Sequence, residues 1–218
     1  MKIRIHQLTM IDKITQYGDF YQLNNKFNIK KLLQELEPFE DKWSKYNPRK
    51  PQMLRDGLCV INETGKCGPG PALDSLLEWN TDHGTRLKEA DFNVPTELYK
   101  SSSELQRVME PMLGWSVRSH FLRLPPGGYF PPHRDHVYDE PDSFRIIWPL
   151  ENCNPPYFRF MVEDKTLQFE NGNCYVINTT KIHSLFNCSS SQDSLMLVVN
   201  ARLCEDSIRF VQDHLSER

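Results

Sequence analysis

The residue pattern of the chain changes near Gly114 from helical to strand-like, and this change constrains the fold more than any other feature. From Trp115 onward the sequence contains short runs of aromatic and branched residues, bounded by Pro, Gly, Asn or Asp. The runs are WSVRSHFLRL, SFRIIWPL, YFRFMVED, NCYVINTT and DSLMLVVNARL. Such runs are typical of strands, and several strands at close spacing predict a sandwich or a barrel-like jelly roll.

Helical patterns dominate before residue 114. Over 28–46, apolar residues recur at spacings of three and four, which predicts a helix that Pro38 bends or breaks. Further helices are predicted over 71–84, over 102–113 with a serine cap at Ser103, and at the C-terminus. The segment 52–61 is consistent with a strand.

At 218 residues the chain is long enough for one good core. We expect a single domain over 1–218, in which a helical and mixed elaboration (1–113) precedes a β-roll core (114–204) and a C-terminal helix (205–218).

Charge and cysteine spacing exclude several classes of protein. A formal net charge of −3 argues against a nucleic-acid binder that depends on phosphate attraction. Charged residues interrupt the apolar pairs at the N-terminus, and no stretch reaches the ~18 apolar residues of a membrane span, so we expect a cytoplasmic protein without membrane partners. The six cysteines include no C-x-x-C pair, which predicts reduced thiols and no zinc knuckle.

The segment PPHRDH carries the first candidate site. His133 and Asp135 are two residues apart, so on an extended chain both side chains point to the same side and could share a metal ion. His136 projects the other way and is not an expected ligand. A third ligand could be His183, which follows the apolar run CYVIN. Two histidines and a carboxylate form the facial triad of non-haem Fe(II) oxygenases. The alternative is a surface His–Asp pair and an unrelated loop histidine.

The order of the motifs also carries a family resemblance. The segments FLRLPPGGYFPPHRDH, FRIIWPL, FENGNCYVINTTKIHSLFN and LMLVVN together resemble the aspartyl/asparaginyl β-hydroxylase-like family of 2-oxoglutarate-dependent oxygenases. The match covers roughly Val117 to Arg202. It implies a double-stranded β-helix core, cupin-like and flanked by helices, that binds Fe(II) through His133, Asp135 and His183.

The same resemblance implies 2-oxoglutarate as cosubstrate and O2 as oxidant. A planar, bidentate arginine suits the distal carboxylate of 2-oxoglutarate. Arg145 matches the arginine of the strand after the His-x-Asp segment. Many relatives also carry an arginine about ten residues after the distal histidine, but this chain has Asp193 and Ser194 there. We therefore expect Arg145 to bind the carboxylate with help from Ser194, and Arg202 to be a secondary contact.

The expected reaction is hydroxylation of an unactivated C–H bond of an amino acid, free or in a peptide, with release of succinate and CO2. The carboxylate of Asp135 favours hydroxylation, because halide-transferring relatives have a small residue there. Residues that could recognise a carboxylate or an apolar ring of the substrate are Arg55, Arg118, Arg123, Tyr129 and Trp148. His120 is interpreted as a buried structural histidine, and Asn178 and Asn187 as turn residues near His183.

Two other classes of protein stay open. One is a cupin-like metal enzyme that uses the same three ligands without 2-oxoglutarate. The other is a non-catalytic β-roll binding module in which the histidines are incidental. Neither the substrate nor the oligomeric state follows from the sequence.

Overall fold

A computed structural model of the chain describes residues 8–135 and 141–216. Within these residues it contains six α-helices and twelve β-strands. The helices are α1 (Met10–Thr15), α2 (Ile29–Leu36), α3 (Leu76–His83), α4 (Glu97–Ser101), α5 (Ser103–Met109) and α6 (Glu205–Asp213). The strands are β1 (Phe20–Lys26), β2 (Ser44–Lys45), β3 (Asp56–Asn62), β4 (Val94–Pro95), β5 (Ser116–Leu124), β6 (Tyr129–His133), β7 (Ser143–Glu151), β8 (Phe158–Val162), β9 (Lys165–Thr166), β10 (Asn173–Ile177), β11 (His183–Asn187) and β12 (Ser194–Arg202).

The strands form two antiparallel sheets, and the second half of the chain passes back and forth between them. The large sheet has the order β1-β10-β7-β12-β5-β3-β2, with β4 also paired to β3. The small sheet has the order β6-β11-β8-β9. Strands β5, β7, β10 and β12 therefore lie in one sheet, and β6, β8, β9 and β11 in the other. This arrangement is a double-stranded β-helix, or jelly roll, as the sequence predicts.

The N-terminal part contributes strands as well as helices. β1 pairs with β10, with Phe20 opposite Ile177, and extends the large sheet at one edge. β3 pairs with β5 at the other side. The expected helical and mixed elaboration is therefore built onto the roll itself, and its division from the core at residue 114 stays a prediction.

Successive side chains of the large sheet point to opposite faces, and both faces are buried. Ile147 and Met196 pack between the two sheets, against residues of the small sheet such as Phe160. Trp148 and Leu197 point the other way and pack with helical residues such as Leu105. A polar side chain on the inner face is consequently held inside the roll.

The predicted helices are present, with local differences. α2 ends at Leu36, and a 3-10 helix over 37–42 containing Pro38 follows it, so the predicted interruption is confirmed. α5 is capped by Ser102, one residue before the predicted Ser103, because the Ser102 hydroxyl accepts from the N–H of Leu105. The six cysteines are free thiols, as expected. Among the described helices, none has the length and apolar character needed to cross a membrane.

Candidate metal centre

Two histidines face each other at one end of the small sheet. His133 ends β6 and His183 begins β11, and the two residues are direct partners in the antiparallel register. Their ring centroids are 4.2 Å apart. Strand pairing thus brings together two imidazoles that lie far apart in the sequence.

Asp135 joins the two histidines because a backbone hydrogen bond holds the segment after β6. Its N–H donates to the carbonyl of Thr179 at 2.9 Å, in the turn that follows β10. One potential ligand atom each of His133, Asp135 and His183 lies within 4.8 Å of the others. We call these three residues the triad. His136, which the sequence excludes from the ligands, lies outside the described residues.

Backbone carbonyls orient both imidazoles. Nδ1 of His133 lies 2.8 Å from the carbonyl oxygen of Pro131, and Nδ1 of His183 lies 3.1 Å from that of Lys181. Since a carbonyl oxygen only accepts, each Nδ1 carries the proton and each Nε2 presents a lone pair. This is the arrangement that metal-binding histidines usually have.

The charge states of the triad also suit a metal ion. Burial opposes ionisation of Asp135, but the Arg145 guanidinium and the two imidazoles hold the pKa of this carboxyl at about 2. Burial lowers the pKa of His183, with Asp135 acting in the opposite direction. At neutral pH the triad therefore offers an ionised carboxylate and a neutral buried imidazole.

Arg145 lies on the inner face of β7, next to the triad. Its Nη2 atom is 3.1 Å from Oδ2 of Asp135. Its Nη1 atom is buried and has no hydrogen-bond partner among the described residues. Arg145 points into the roll, whereas its apolar neighbours Phe144, Ile146 and Trp148 do not. They instead occupy the opposite face, because successive side chains of a strand alternate.

A cavity between the sheets joins the triad to Arg145. One part of its wall is apolar and is formed by Leu122, Phe130, Ile147, Phe160, Leu185 and Met196. The polar part is formed by Arg118, His120, His133, Asp135, Arg145 and His183. A second, more open depression leads outward from His133 and Asp135 past Tyr46, Asn47 and Arg55. The site is therefore a pocket inside the roll with a mouth on one side.

Arg118 is held by a carboxylate from outside the roll. Its Nη2 atom lies 2.5 Å from Oε1 of Glu89, and Nη1 donates to the carbonyl of Asp74 at 3.2 Å. Glu89 also accepts from the side-chain amide of Asn200 at 2.9 Å. Burial would raise the pKa of Glu89, but Arg118 and Arg145 lower it. Arg118 is thus a compensated charge in the cavity wall.

His120 lies in the cavity wall between charged neighbours. Burial, together with Arg118 and Arg145, lowers its pKa to about 3. Its ring centroid is 5.0 Å from that of Tyr46, and its Nδ1 atom has no partner among the described residues. The residue is buried, as the sequence predicts, and its neutral imidazole also forms part of the cavity wall.

Two expected cofactor residues lie away from the cavity. Ser194 is fully buried, and its hydroxyl donates to the carbonyl of Asn152 at 2.7 Å. Arg202 is exposed at the end of β12, where Nη2 is 3.4 Å from the carbonyl oxygen of Gly114. The structure therefore brings Arg145 to the triad, but not Ser194 or Arg202.

The expected substrate residues divide by the direction of their side chains. Arg55 and Arg118 line the mouth or the cavity. Arg123 points out of the roll, where it pairs with Glu40 and stacks on Trp43. Trp148 is fully buried on the helical side of the large sheet, against Phe27. Tyr129 lines neither the cavity nor the outer depression. Strand alternation explains this separation, since Arg118 and Arg123 differ in parity along β5.

The two expected turn residues stabilise loops at opposite ends of β11, and Asn178 is the one on the side of His183. The amide of Asn187 donates to the carbonyls of Leu124 and Gln192, both at 2.8 Å. The side-chain Oδ1 of Asn178 accepts from the N–H and hydroxyl of Thr180, just before His183. Sequence reasoning missed Glu89 and Tyr46, which come from the N-terminal part, where no motif marks them.

The fold and the site together define a jelly-roll protein with a candidate metal centre between its sheets. A profile of the aspartyl/asparaginyl beta-hydroxylase family matches residues 81–202, which contain the whole triad and Arg145. The chain belongs to this family.

Solved structures with a similar fold include a Pseudomonas putida prolyl-4-hydroxylase, with 13% sequence identity over 89% of this chain and 97% of that chain, at a TM-score of 0.48. A predicted oxalate decarboxylase from Thermotoga maritima is 21% identical over 44% of this chain and 74% of that chain, at a TM-score of 0.33. A cupin domain from Bordetella pertussis is 19% identical over 38% and 79%, at a TM-score of 0.30. A search of curated protein sequences gave no match.

Proposed function

We propose that this protein is an Fe(II)- and 2-oxoglutarate-dependent dioxygenase that hydroxylates an unactivated C–H bond of an amino acid, free or in a peptide. One observation carries the proposal: Arg145, with a buried and unpartnered Nη1 atom, lies beside the triad of His133, Asp135 and His183. Membership of a hydroxylase family supports the type of reaction.

The donor set fits ferrous iron. Two imidazoles and one carboxylate suit Fe(II), and three protein ligands leave coordination positions open for other molecules. His133 and His183 would bind through Nε2, because hydrogen bonds to carbonyls already engage their Nδ1 atoms. Asp135 would bind through its ionised carboxylate.

The cavity also fits a small dicarboxylate. Nη1 of Arg145 is a buried donor that lacks an acceptor, and a carboxylate is the acceptor that a guanidinium matches best. The arginine that many relatives have about ten residues after the distal histidine is absent here, where the chain has Asp193 and Ser194. We therefore assign the distal carboxylate of 2-oxoglutarate to Arg145 alone.

Oxidative decarboxylation of 2-oxoglutarate by dioxygen at a ferrous centre supplies the chemistry: one oxygen atom enters succinate, CO2 leaves, and the other oxygen becomes the product hydroxyl. The protein's part is position and environment. Arg145 orients the cosubstrate, the carbonyls of Pro131 and Lys181 hold the imidazoles, and apolar residues such as Phe160 keep water from the reacting groups.

The test combines metal binding with turnover. Purified protein is titrated with Mn(II) or Fe(II), and succinate formed from 2-oxoglutarate is measured with a panel of amino acids and peptides. We expect one metal ion per chain and substrate-stimulated succinate. His183→Ala and Asp135→Ala should lose both, whereas His83→Ala, on α3 outside the cavity, should keep both. Stoichiometric metal binding without any succinate would favour the cupin-like alternative, and no metal binding would favour the non-catalytic module.

A further inference from the structure

Arg55 is a buried cation without a counter-ion in the part of the chain that the structure describes. It immediately precedes β3, and 5% of its surface is exposed. Its Nε and Nη2 atoms are buried and make no hydrogen bond to any described residue. An ionised group is strongly destabilised by burial without a partner, so such a residue indicates a site that takes up an anion.

Among the arginines at this site, Arg55 differs from its neighbours in lacking a carboxylate partner among the residues described. Three of the described arginines line the mouth of the cavity: Arg55, Arg118 and Arg145. Arg118 and Arg145 each contact a carboxylate, at 2.5 Å and 3.1 Å respectively. Arg55 contacts aromatic rings instead, with its guanidinium carbon 4.0 Å from the Phe130 ring centroid and 5.3 Å from that of Tyr46. Stacking orients the guanidinium plane but supplies no negative charge.

Arg55 lies close enough to the triad to act on the same small molecule. The Phe130 ring on which it stacks is itself stacked near the His133 ring, at a centroid distance of 6.1 Å. One aromatic ring therefore separates the guanidinium from a candidate metal ligand. Arg55, His133 and Asp135 also line the same depression, so a single small molecule bound there can contact both the triad and the guanidinium.

The backbone carboxyl group of an internal peptide residue is part of an amide, which carries no charge, so such a residue could compensate the guanidinium only through an Asp or Glu side chain. Building on the function proposed above, we propose that Arg55 binds a free carboxylate of the substrate. The substrate is then a free amino acid or the C-terminal residue of a peptide, bound through its α-carboxylate; an internal Asp or Glu side chain is the alternative that C-terminal amides test.

The first experiment compares acids with their amides on the full-length protein. Thermal unfolding is followed with Mn(II) and 2-oxoglutarate present, so that binding is measured without turnover. The probes are the twenty protein amino acids, their C-terminal amides, and peptides with free or amidated C-termini. We expect stabilisation by at least one free acid and loss of that stabilisation in the matching amide. Peptides with a free C-terminus distinguish the two sources of the carboxylate.

The second experiment removes the charge. In Arg55→Met the apparent Kd of the stabilising acid should rise about 10- to 100-fold, the effect of losing a charged hydrogen bond, while the affinity for 2-oxoglutarate is unchanged. Arg55→Lys keeps the charge and should lose less. Arg123→Met is the matched control, because Arg123 also stacks on an aromatic ring but lies outside the cavity.

The melting temperature of the ligand-free variant separates a binding role from a structural one. Because Arg55 is an uncompensated buried charge, Arg55→Met should melt at or above the wild-type temperature. A lower melting temperature with unchanged ligand affinity would make Arg55 a structural residue and overturn the proposal. So would equal binding of acid and amide, a response to none of the acids, or a change in 2-oxoglutarate affinity alone. Failure to bind Mn(II) and 2-oxoglutarate would instead refute the oxygenase function itself.

Discussion

Nη2 of Arg145 lies 3.1 Å from Oδ2 of Asp135, and this contact links the two charges that the proposed reaction requires. The guanidinium helps to keep the carboxylate ionised although both groups are largely shielded from solvent. Nη1 of the same guanidinium stays without a partner among the described residues. Arg145 therefore has one donor turned to the candidate metal ligand and one available for a second anion.

The first prediction concerns the choice between Arg145 and Arg202 as the cosubstrate anchor. Arg145→Met should raise the KM for 2-oxoglutarate about 10- to 100-fold, because a charged hydrogen bond contributes about 1.5–3 kcal/mol. Arg202→Met should leave this KM unchanged, since Arg202 is exposed at the end of β12. Steady-state succinate assays measure both values. Full activity of Arg145→Met would point to the cupin-like enzyme that does not use 2-oxoglutarate.

The second prediction concerns acid stability. The pKa of His120 is lowered from 6.5 to about 3 by burial and by two nearby arginines, so the unfolded chain takes up a proton at this residue before the folded protein does. Above about pH 6.5, His120 has almost no effect on the unfolding free energy. Below that pH it lowers the unfolding free energy increasingly as the pH falls toward 3. Between pH 7 and pH 4, wild type should lose about 3 kcal/mol more unfolding free energy than His120→Gln. Denaturant titrations at both pH values provide the measurement, and equal losses would contradict it.

The third prediction separates core packing from substrate binding at Trp148. The residue is fully buried against Phe27 on the helical side of the large sheet, and its Nε1 atom has no partner among the described residues. Trp148→Phe should lower the unfolding free energy by about 1–2 kcal/mol, because it leaves a void without orphaning another polar group. The KM for substrate should not change. A rise in KM at wild-type stability would restore the interpretation that the tryptophan recognises substrate.

The fourth prediction concerns the turn that precedes the His-x-Asp segment. A Cβ atom at Gly128 would lie 2.5 Å from the carbonyl oxygen of Leu54 and 2.9 Å from that of Pro125. Gly128→Ala should therefore destabilise the protein by about 1–3 kcal/mol. It should also weaken Mn(II) binding, because β6 begins at this turn and ends at His133, so a shift of the turn displaces this ligand. Calorimetry of unfolding and metal titration report the two effects.

Gly114→Ala is the matched control, because a Cβ atom there meets nothing within 4 Å. It should unfold and bind Mn(II) like the wild type. If both alanine variants behaved alike, the close approach of Leu54 to Gly128 would not be what requires glycine in this turn.

Local patterns predicted β5, β7, β8, β10 and β12, because these strands are short apolar runs bounded by turn residues. They did not mark β6, β9 or β11, which are shorter or more polar. β1 was missed because the segment FYQLNNK is an edge strand, stabilised by pairing with β10 and not by its own pattern. Glu89 was missed for a related reason. A carboxylate in a polar segment has no visible role until the fold places it 2.5 Å from Arg118.

The sequence by itself predicted the roll and named His133 and Asp135 as candidate ligands, because strand patterns and the His-x-Asp spacing are local properties of the chain. His183 was named from the order of the motifs, and strand pairing brings it to the other two. Only the tertiary structure decided which of the predicted arginines meet at the site. Side-chain parity turned Arg145 inward and Arg123 outward, and the approach of the N-terminal part placed Arg55 at the mouth. Whether a charge is compensated depends on partners from distant segments, and the partner of a side chain is not encoded in its neighbours along the chain.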